Sequence, residues 1–218
     1  MTASGSSPFA WACLPVGWLE TNCYLFWDTE SKAAAVIDPG ADEDAILEAI
    51  GSRQLRVVAI INTHGHGDHI AANRPLKAAL GAPLYIHEKD SLILSDPRRN
   101  YSQQIGLPIT SPAADIFLKA GDAVTVGRTD LKVLETPGHT PGSICLEAAG
   151  RILFSGDTLF AGSIGRTDLP EGDGLAMQAS LRQLVRLPEA MAVFPGHGPA
   201  TTIGRERLEN PFLRENVR

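Results

Sequence analysis

Apolar residues in this chain gather in short runs separated by polar turns, the spacing of strands more than of long amphipathic helices. Residues 21–27 and 33–37 are two such runs joined by Asp28-Thr29-Glu30-Ser31-Lys32, which predicts an opening hairpin. Asp38-Pro39-Gly40 closes the second strand. Residues 42–50 then read as a helix, with acidic side chains crowding its first turn as the helix dipole favours. A strand over 55–62 follows. After His69 comes a short helix ending at Gly81; Pro75 cannot sit deep within it, so Asn73 is its N-cap or the helix is kinked. Residues 83–87 make the next strand.

Residues 90–117 break this rhythm. Prolines, glycines, the pair Arg98-Arg99 and weak periodicity give them the texture of a functional lid or of an ordinary surface connection. From Asp122 onward short strands and tight turns dominate until 174–187, where Leu175, Ala179, Leu181, Leu184 and Val185 suit one face of a helix. Residues 203–218 read as a short terminal helix and tail, and residues 1–7 as a disordered polar tail. No repeat or low-complexity tract divides the chain, so 1–218 is read as one α/β domain. At 218 residues and 44% hydrophobic, it is long enough for a substantial core.

The polar positions that follow four of the apolar runs carry the chemistry. Val57-Val58-Ala59-Ile60-Ile61 leads to His64, His66, Asp68 and His69 in Thr-His-Gly-His-Gly-Asp-His, and residues 131–134 lead to His139 in Thr-Pro-Gly-His-Thr. Ile152-Leu153-Phe154 leads to Asp157 in Ser-Gly-Asp-Thr, and Ala192-Val193-Phe194 to His197 in Phe-Pro-Gly-His-Gly. A lone histidine is usually a surface or hydrogen-bonded core residue, and His87 at its strand end reads that way. Four buried strands delivering their clusters in the same manner do not, because loops on a rigid sheet are where sites are built. Imidazole nitrogen and carboxylate oxygen are the donors borderline divalent metals prefer, and these seven groups exceed what one tetrahedral ion uses, which predicts two metals. In extended backbone His64 and His66 can converge on one ion, while Asp68 and His69, past a turn eased by Gly67, face a second. The helical spacing H-E-x-x-H is absent, so the donors come from loops. Asp38 reads as a turn residue or one that orients a metal-bound histidine.

Composition narrows the setting. Cys13, Cys23 and Cys145 are odd in number without C-x-x-C spacing, so they read as small core residues and neither a disulfide framework nor a thiolate zinc site is expected. No apolar run is long enough to span a bilayer and the N-terminus lacks the pattern of a secretory signal, so no membrane association and a cytoplasmic setting are expected. The net charge of −6 argues against a nucleic-acid partner. It does not exclude an anionic substrate: two divalent ions set against Asp68, Asp157 and a hydroxide leave the site about one net positive charge. Gly162-Ser163-Ile164-Gly165 lacks the spacing of a G-x-S-x-G nucleophile elbow, so serine hydrolysis is not supported. The oligomeric state is left open.

With these residues in hand, the chain resembles the metallo-β-lactamase fold and, within it, the shorter bacterial-type members of the glyoxalase II (hydroxyacylglutathione hydrolase) branch. The resemblance runs through Asp38-Pro39-Gly40, T-H-G-H-G-D-H, T-P-G-H-T, S-G-D-T-L-F, G-R-T-D-L-P, F-P-G-H-G-P and Asn210-Pro211-Phe212-Leu213. It implies a four-layer α/β/β/α sandwich with metals at one edge of the two sheets. It also implies that His64, His66 and His139 hold one metal, that Asp68, His69 and His197 hold the other, and that Asp157 bridges them. Asp68 and Asp157 are then the catalytic carboxylates. True β-lactamases of this fold commonly carry cysteine or serine at the bridging position, so the aspartate favours a different hydrolase.

The implied reaction is hydrolysis of a small-molecule thioester such as S-lactoylglutathione by a metal-bridging hydroxide. Metal coordination lowers the pKa of water from 15.7 to about 7, and a thiol of pKa near 8.5 leaves without strong acid assistance. Zinc is the first expectation for both ions, with iron and manganese accepting similar donors. Arg166 lies where longer family members place a substrate-binding lysine, so it reads as an anion contact or as the partner of Asp168 or Asp173. A persulfide dioxygenase of the same fold is the alternative, with one iron at His64, His139 and Asp157. A non-catalytic or nucleic-acid-processing relative is disfavoured by the complete donor set and the acidic balance.

Overall fold

The computed structural model describes residues 7–214. Three antiparallel strands open it, β1 (Phe9–Val16), β2 (Thr21–Asp28) and β3 (Ala33–Ile37). Helix α1 (Glu43–Ser52) then crosses to β4 (Arg56–Ile61), which lies parallel to β3. The single turn α2 (Gly67–Ile70) and α3 (Asn73–Leu80) lead to β5 (Leu84–His87), and β6 (Ile116–Leu118) completes a first sheet of order β1-β2-β3-β4-β5-β6.

The second sheet starts with an antiparallel meander: β7 (Ala123–Val126), β8 (Thr129–Glu135), β9 (Ile144–Ala148) and β10 (Ile152–Gly156). A small hairpin, β11 (Leu159–Phe160) and β12 (Ser163–Ile164), precedes α4 (Gly174–Leu184). That helix carries the chain to β13 (Ala192–Pro195), parallel to β10, with β14 (Thr201–Thr202) at the edge and α5 (Ile203–Glu209) and α6 (Pro211–Arg214) closing the described chain.

Strand periodicity explains the layers. Alternate residues of a strand face opposite sides, so a strand buried on both faces reads as an unbroken apolar run. Tyr24, Phe26, Ile37 and Ile61 of the first sheet meet Val133, Leu146, Phe154 and Phe194 of the second in a shared core. Their neighbours Leu25, Val36 and Ile60 point outward to Ile46 and Ile50 of α1 and Leu76 of α3. Cys145, Leu153 and Val193 point outward to Met177, Leu181 and Leu184 of α4, Ile203 of α5 and Leu213 of α6. Each such large side chain taken from water contributes about 1.5–3 kcal/mol. The result is the four-layer α/β/β/α sandwich that the resemblance implies.

Several local expectations need correction. β1 precedes the expected hairpin, making it a three-stranded meander. Asn73 is not a cap: Ala72 holds that place, and the buried Asn73 amide donates to Asn62 Oδ1 at 2.7 Å and Ser111 Oγ at 2.9 Å. Pro75 falls in the first turn of α3, where its missing N–H leaves no intrahelical bond unmade. On α4 the buried face is Met177, Ser180, Leu181 and Leu184, whereas Leu175 is 78% exposed and Ala179 also faces solvent. Asp173 caps that helix by accepting from the Leu175 and Ala176 N–H groups, a contact worth about 1 kcal/mol. Cys13 is exposed rather than in the core, while Cys23 and Cys145 are buried and all three are free thiols. The single terminal helix is two short ones broken at Asn210-Pro211. Apart from Ser7, the tail expected over 1–7 lies outside the described residues, as does 215–218. Among the described residues no helix is long and apolar enough to cross a membrane.

Candidate metal centre

Four strand ends converge on one point. β4 delivers Asn62, Thr63 and then His64 and His66; α2 turns the chain so that Asp68 and His69 face the same place. β8, β10 and β13 deliver His139, Asp157 and His197 from the second sheet. Two contacts lock this convergence: the Ile144 N–H donates to Thr63 O at 2.9 Å between the sheets, and the Gly196 N–H donates to Gly156 O at 2.8 Å. Position 196 demands glycine, because a Cβ there would lie 2.1 Å from Asp157 Oδ1 and 2.8 Å from His69 Cε1.

All seven sequence-predicted histidines and aspartates are brought together. Their donor atoms form three groups, His64-His66-His139, Asp68-His69-His197 and His64-His69-Asp157, each with its atoms within 4.8 Å of one another. His66 Nδ1 and His139 Nε2 are 2.8 Å apart, and His197 Nε2 lies 3.1 Å from Asp68 Oδ2. Asp157 sits between the outer groups, with Oδ1 3.5 Å from His69 Nε2 and Oδ2 3.5 Å from His139 Nε2 and 3.6 Å from His197 Nε2. Among the described residues, His64 Nε2, both ring nitrogens of His69 and Asp157 Oδ1 are buried without a hydrogen-bond partner, the His69 Nδ1 lying 3.1 Å from Asp38 Oδ2. Buried polar atoms are seldom left so, and His64 Nε2, His69 Nε2 and Asp157 Oδ1 point at one another, which is the arrangement a cation satisfies once His69 has given up its proton. The donor set therefore fits divalent metal.

Surrounding groups fix the rings. His139 Nδ1 faces Arg166 O at 2.8 Å and His197 Nδ1 faces Leu19 O at 3.1 Å, so each ring donates outward and turns Nε2 to the centre. Asp38 accepts from Thr63 N–H and Thr63 Oγ1–H, both at 2.7 Å, and its Oδ2 lies 3.1 Å from His69 Nδ1. Thr21 Oγ1 donates to Asp68 Oδ2 at 3.1 Å, and Asn62 Nδ2 to His69 O at 3.0 Å. His87 stands apart, buried with Nε2 3.1 Å from Glu135 Oε1.

Charge divides the cluster. Burial, then the neighbouring imidazoles, hold His64 and His66 well below the ordinary histidine value. Burial acts the same way on His69, but Asp68, Asp157 and Asp38 outweigh it and hold that imidazole up at about 10. His197 is raised: burial opposes, and Asp68 and Asp157 prevail. Burial opposes ionisation of Asp68 too, yet His69 and His197 hold its carboxyl well below the usual carboxylate range.

The centre floors a cavity of about 500 Å³ walled by Leu19, Tyr101, Ile105, Phe160, Ile164 and Leu169. Residues 90–117 supply part of that wall, and Tyr101 takes a left-handed φ of 63° to do so. Arg166 also lines it, with Nε and Nη2 paired to both carboxylate oxygens of Asp168 at 2.9 and 2.8 Å. Sequence reasoning missed Leu19, Tyr101, Ile105 and Phe160 because nothing in their local pattern marks an apolar residue as cavity wall rather than core.

The chain is similar to known proteins. A model of the metallo-beta-lactamase superfamily matches residues 16–197. The hydroxyacylglutathione hydrolase GloC of Haemophilus influenzae is 36% identical over 208 residues, covering 92% of this chain and 96% of its own. The crystal structure of BLEG-1 B3 metallo-beta-lactamase superposes with a TM-score of 0.89 at 40% identity, covering 94% of this chain and 99% of that one. TTHA1623 in a di-iron-bound form superposes at 0.83 with 37% identity, covering 93% and 100%. The matched stretch runs from the end of β1 through His197 and so takes in all four strands that deliver the histidines and aspartates: the chain belongs to the metallo-beta-lactamase superfamily.

Proposed function

We propose that this chain is a dinuclear metal-dependent hydrolase of small-molecule thioesters of the S-lactoylglutathione kind. The observation that carries the reading is the pair of three-residue donor groups with Asp157 between them, on the floor of an open cavity. The likeness to GloC supports a hydroxyacyl thioester, and that to the di-iron form of TTHA1623 supports two ions and keeps iron beside zinc and manganese as occupants. His64, His66 and His139 would hold one cation, Asp68, His69 and His197 the other, with Asp157 bridging. When bound, such cations supply Lewis acidity and water of lowered pKa. The apolar wall seats the substrate against that floor. Arg166, now paired to Asp168, is placed to exchange that partner for a substrate carboxylate. Water gives up a proton to solvent as its oxygen bonds to the carbonyl carbon, the C–S bond breaks with its electron pair on sulfur, and the thiolate leaves without a separate acid because a thiol has a pKa near 8.5. The three free thiols accord with the reducing cytoplasm, and the net charge of −6 with a small-molecule partner rather than a nucleic acid.

Elemental analysis and a substrate panel test the reading. Two ions per chain and thiol release from S-lactoylglutathione are expected, and Arg166→Ala should raise KM for an anionic thioester more than for a neutral one. One iron per chain, with oxygen uptake and sulfite formation from glutathione persulfide, would replace it with the dioxygenase. Turnover of a chromogenic cephalosporin without thioester cleavage would replace it with a lactamase.

A further inference from the structure

Asp90 lies outside the donor clusters, at the end of the 3-10 turn Glu88–Asp90 that follows β5, yet it is fully buried. Its Oδ2 accepts from the Gly65 N–H at 2.9 Å and from Thr140 Oγ1–H at 2.7 Å, and its Oδ1 accepts from the Gly142 N–H at 2.7 Å. Gly65 stands between His64 and His66, and Thr140 follows His139. One carboxylate thus ties the loop after β4 to the loop after β8, across the two sheets. A carboxylate taken out of water must have its lone pairs met, and here all three donors come from those two loops. The contact is built into the sequence at Gly142, where a Cβ would lie 2.5 Å from Asp90 Oδ1. His87, at the start of the same turn, reaches Glu135 at the end of β8, so the segment is fastened twice to that strand and its loop.

The two outer donor groups share Asp38, which faces His69 and also holds Thr63 beside His64, but they differ in their other supports. Asp38, Asn62, Thr21 and the Leu19 carbonyl hold His69, Asp68 and His197. Asp90 instead grips the loops that carry His66 and His139, whose ring nitrogens stand 2.8 Å apart. We propose that Asp90 is a positioning residue for the three-histidine site alone: it sets the separation of His66 and His139 at which they converge with His64 on one cation. The Asp68-His69-His197 site does not depend on it. The assignment rests on the metal centre of the proposed function but not on which substrate is cleaved.

Zinc affinity, measured by competition with a chelating dye, separates the two sites when each is isolated in turn. His197→Ala leaves the three-histidine site as the stronger one, and His139→Ala leaves the other. Asp90→Asn is expected to weaken zinc about 10- to 100-fold in the His197→Ala background, the usual cost of losing a residue that orients ligands. In the His139→Ala background the change should be about twofold or less, as for independent sites. The visible spectrum of the cobalt-loaded protein should shift with Asp90→Asn in the first background and not in the second. Thr140→Val, which removes one of the three donors, should give the same asymmetry at smaller amplitude and serves if Asp90→Asn fails to fold. Equal weakening in both backgrounds, or none in either, would overturn the assignment, since a merely structural carboxylate would affect both sites alike. An unmutated chain that binds no zinc, cobalt, iron or manganese would instead overturn the metal centre itself.

Discussion

His69 is the side chain that couples the centre to pH. In the metal-free chain three carboxylates hold its proton to about 10 against the pull of burial, while His64 and His66, buried among other imidazoles, give theirs up well below the ordinary value. A raised imidazole contributes stability that is complete below its unfolded value, about 6.5, and is lost as pH rises toward the folded one. Depressed imidazoles do the reverse: the unfolded chain takes protons that the folded chain refuses, so stability falls as pH drops below about 6.5. The metal-free protein should therefore melt highest near pH 6.5 and lose melting temperature on both sides. A bound cation replaces the His69 proton, so the loaded protein should keep its melting temperature through the alkaline range. Thermal melts of chelated and loaded protein from about pH 5 to 10 check this; a chelated chain with no alkaline decline would show that His69 holds no such proton.

At the scale of elements, the centre depends on strand ends meeting without side chains between them. Gly196 closes β13 against Asp157 and His69, so Gly196→Ala drives a methyl group into the donor set. Such overpacking costs about 1–3 kcal/mol. Because the displaced atoms are donors, the larger loss should be in bound metal: elemental analysis should find the variant depleted while circular dichroism stays native. Full metal content in Gly196→Ala would mean that the strand end can yield. The strands that carry these loops were legible because burial on both faces writes a continuous apolar run, as in Ile152-Leu153-Phe154. That these histidines and aspartates come together was legible because metal chemistry restricts residue types more than packing does. β1 was not, since Pro15 and the exposed Trp11 and Cys13 make this edge strand read as irregular. The buried face of α4 was not, because Leu175 satisfies the apolar pattern yet lies in the exposed first turn, while packing against the second sheet buries Met177. Asp90 escaped notice because an aspartate carries no sequence sign of being buried with three donors.

The whole molecule is two sheets joined by a shared apolar core along their length and by the donor cluster at one edge. His64, His66, Asp68 and His69 follow strand β4 of the first sheet, while His139, Asp157 and His197 follow strands of the second. Each of the outer groups draws on both, so a cation in either one links the sheets and favours the folded state over any state in which they part. Ligand linkage fixes the scale: a free ion at a thousand times its dissociation constant adds about 4 kcal/mol. For a domain of this size each kcal/mol moves the melting temperature by about 2–4 °C. Loading one site should thus raise it by roughly 8–16 °C over the chelated protein. Hydrogen exchange locates the gain: core amides that exchange through global unfolding should all gain protection, and the loops after β4, β8, β10 and β13, which otherwise open locally, should gain it as well. A rise in melting temperature with no gain in those loops would instead mean that the sheets are already held together at this edge by the contacts among Asp38, Asp90 and their donors.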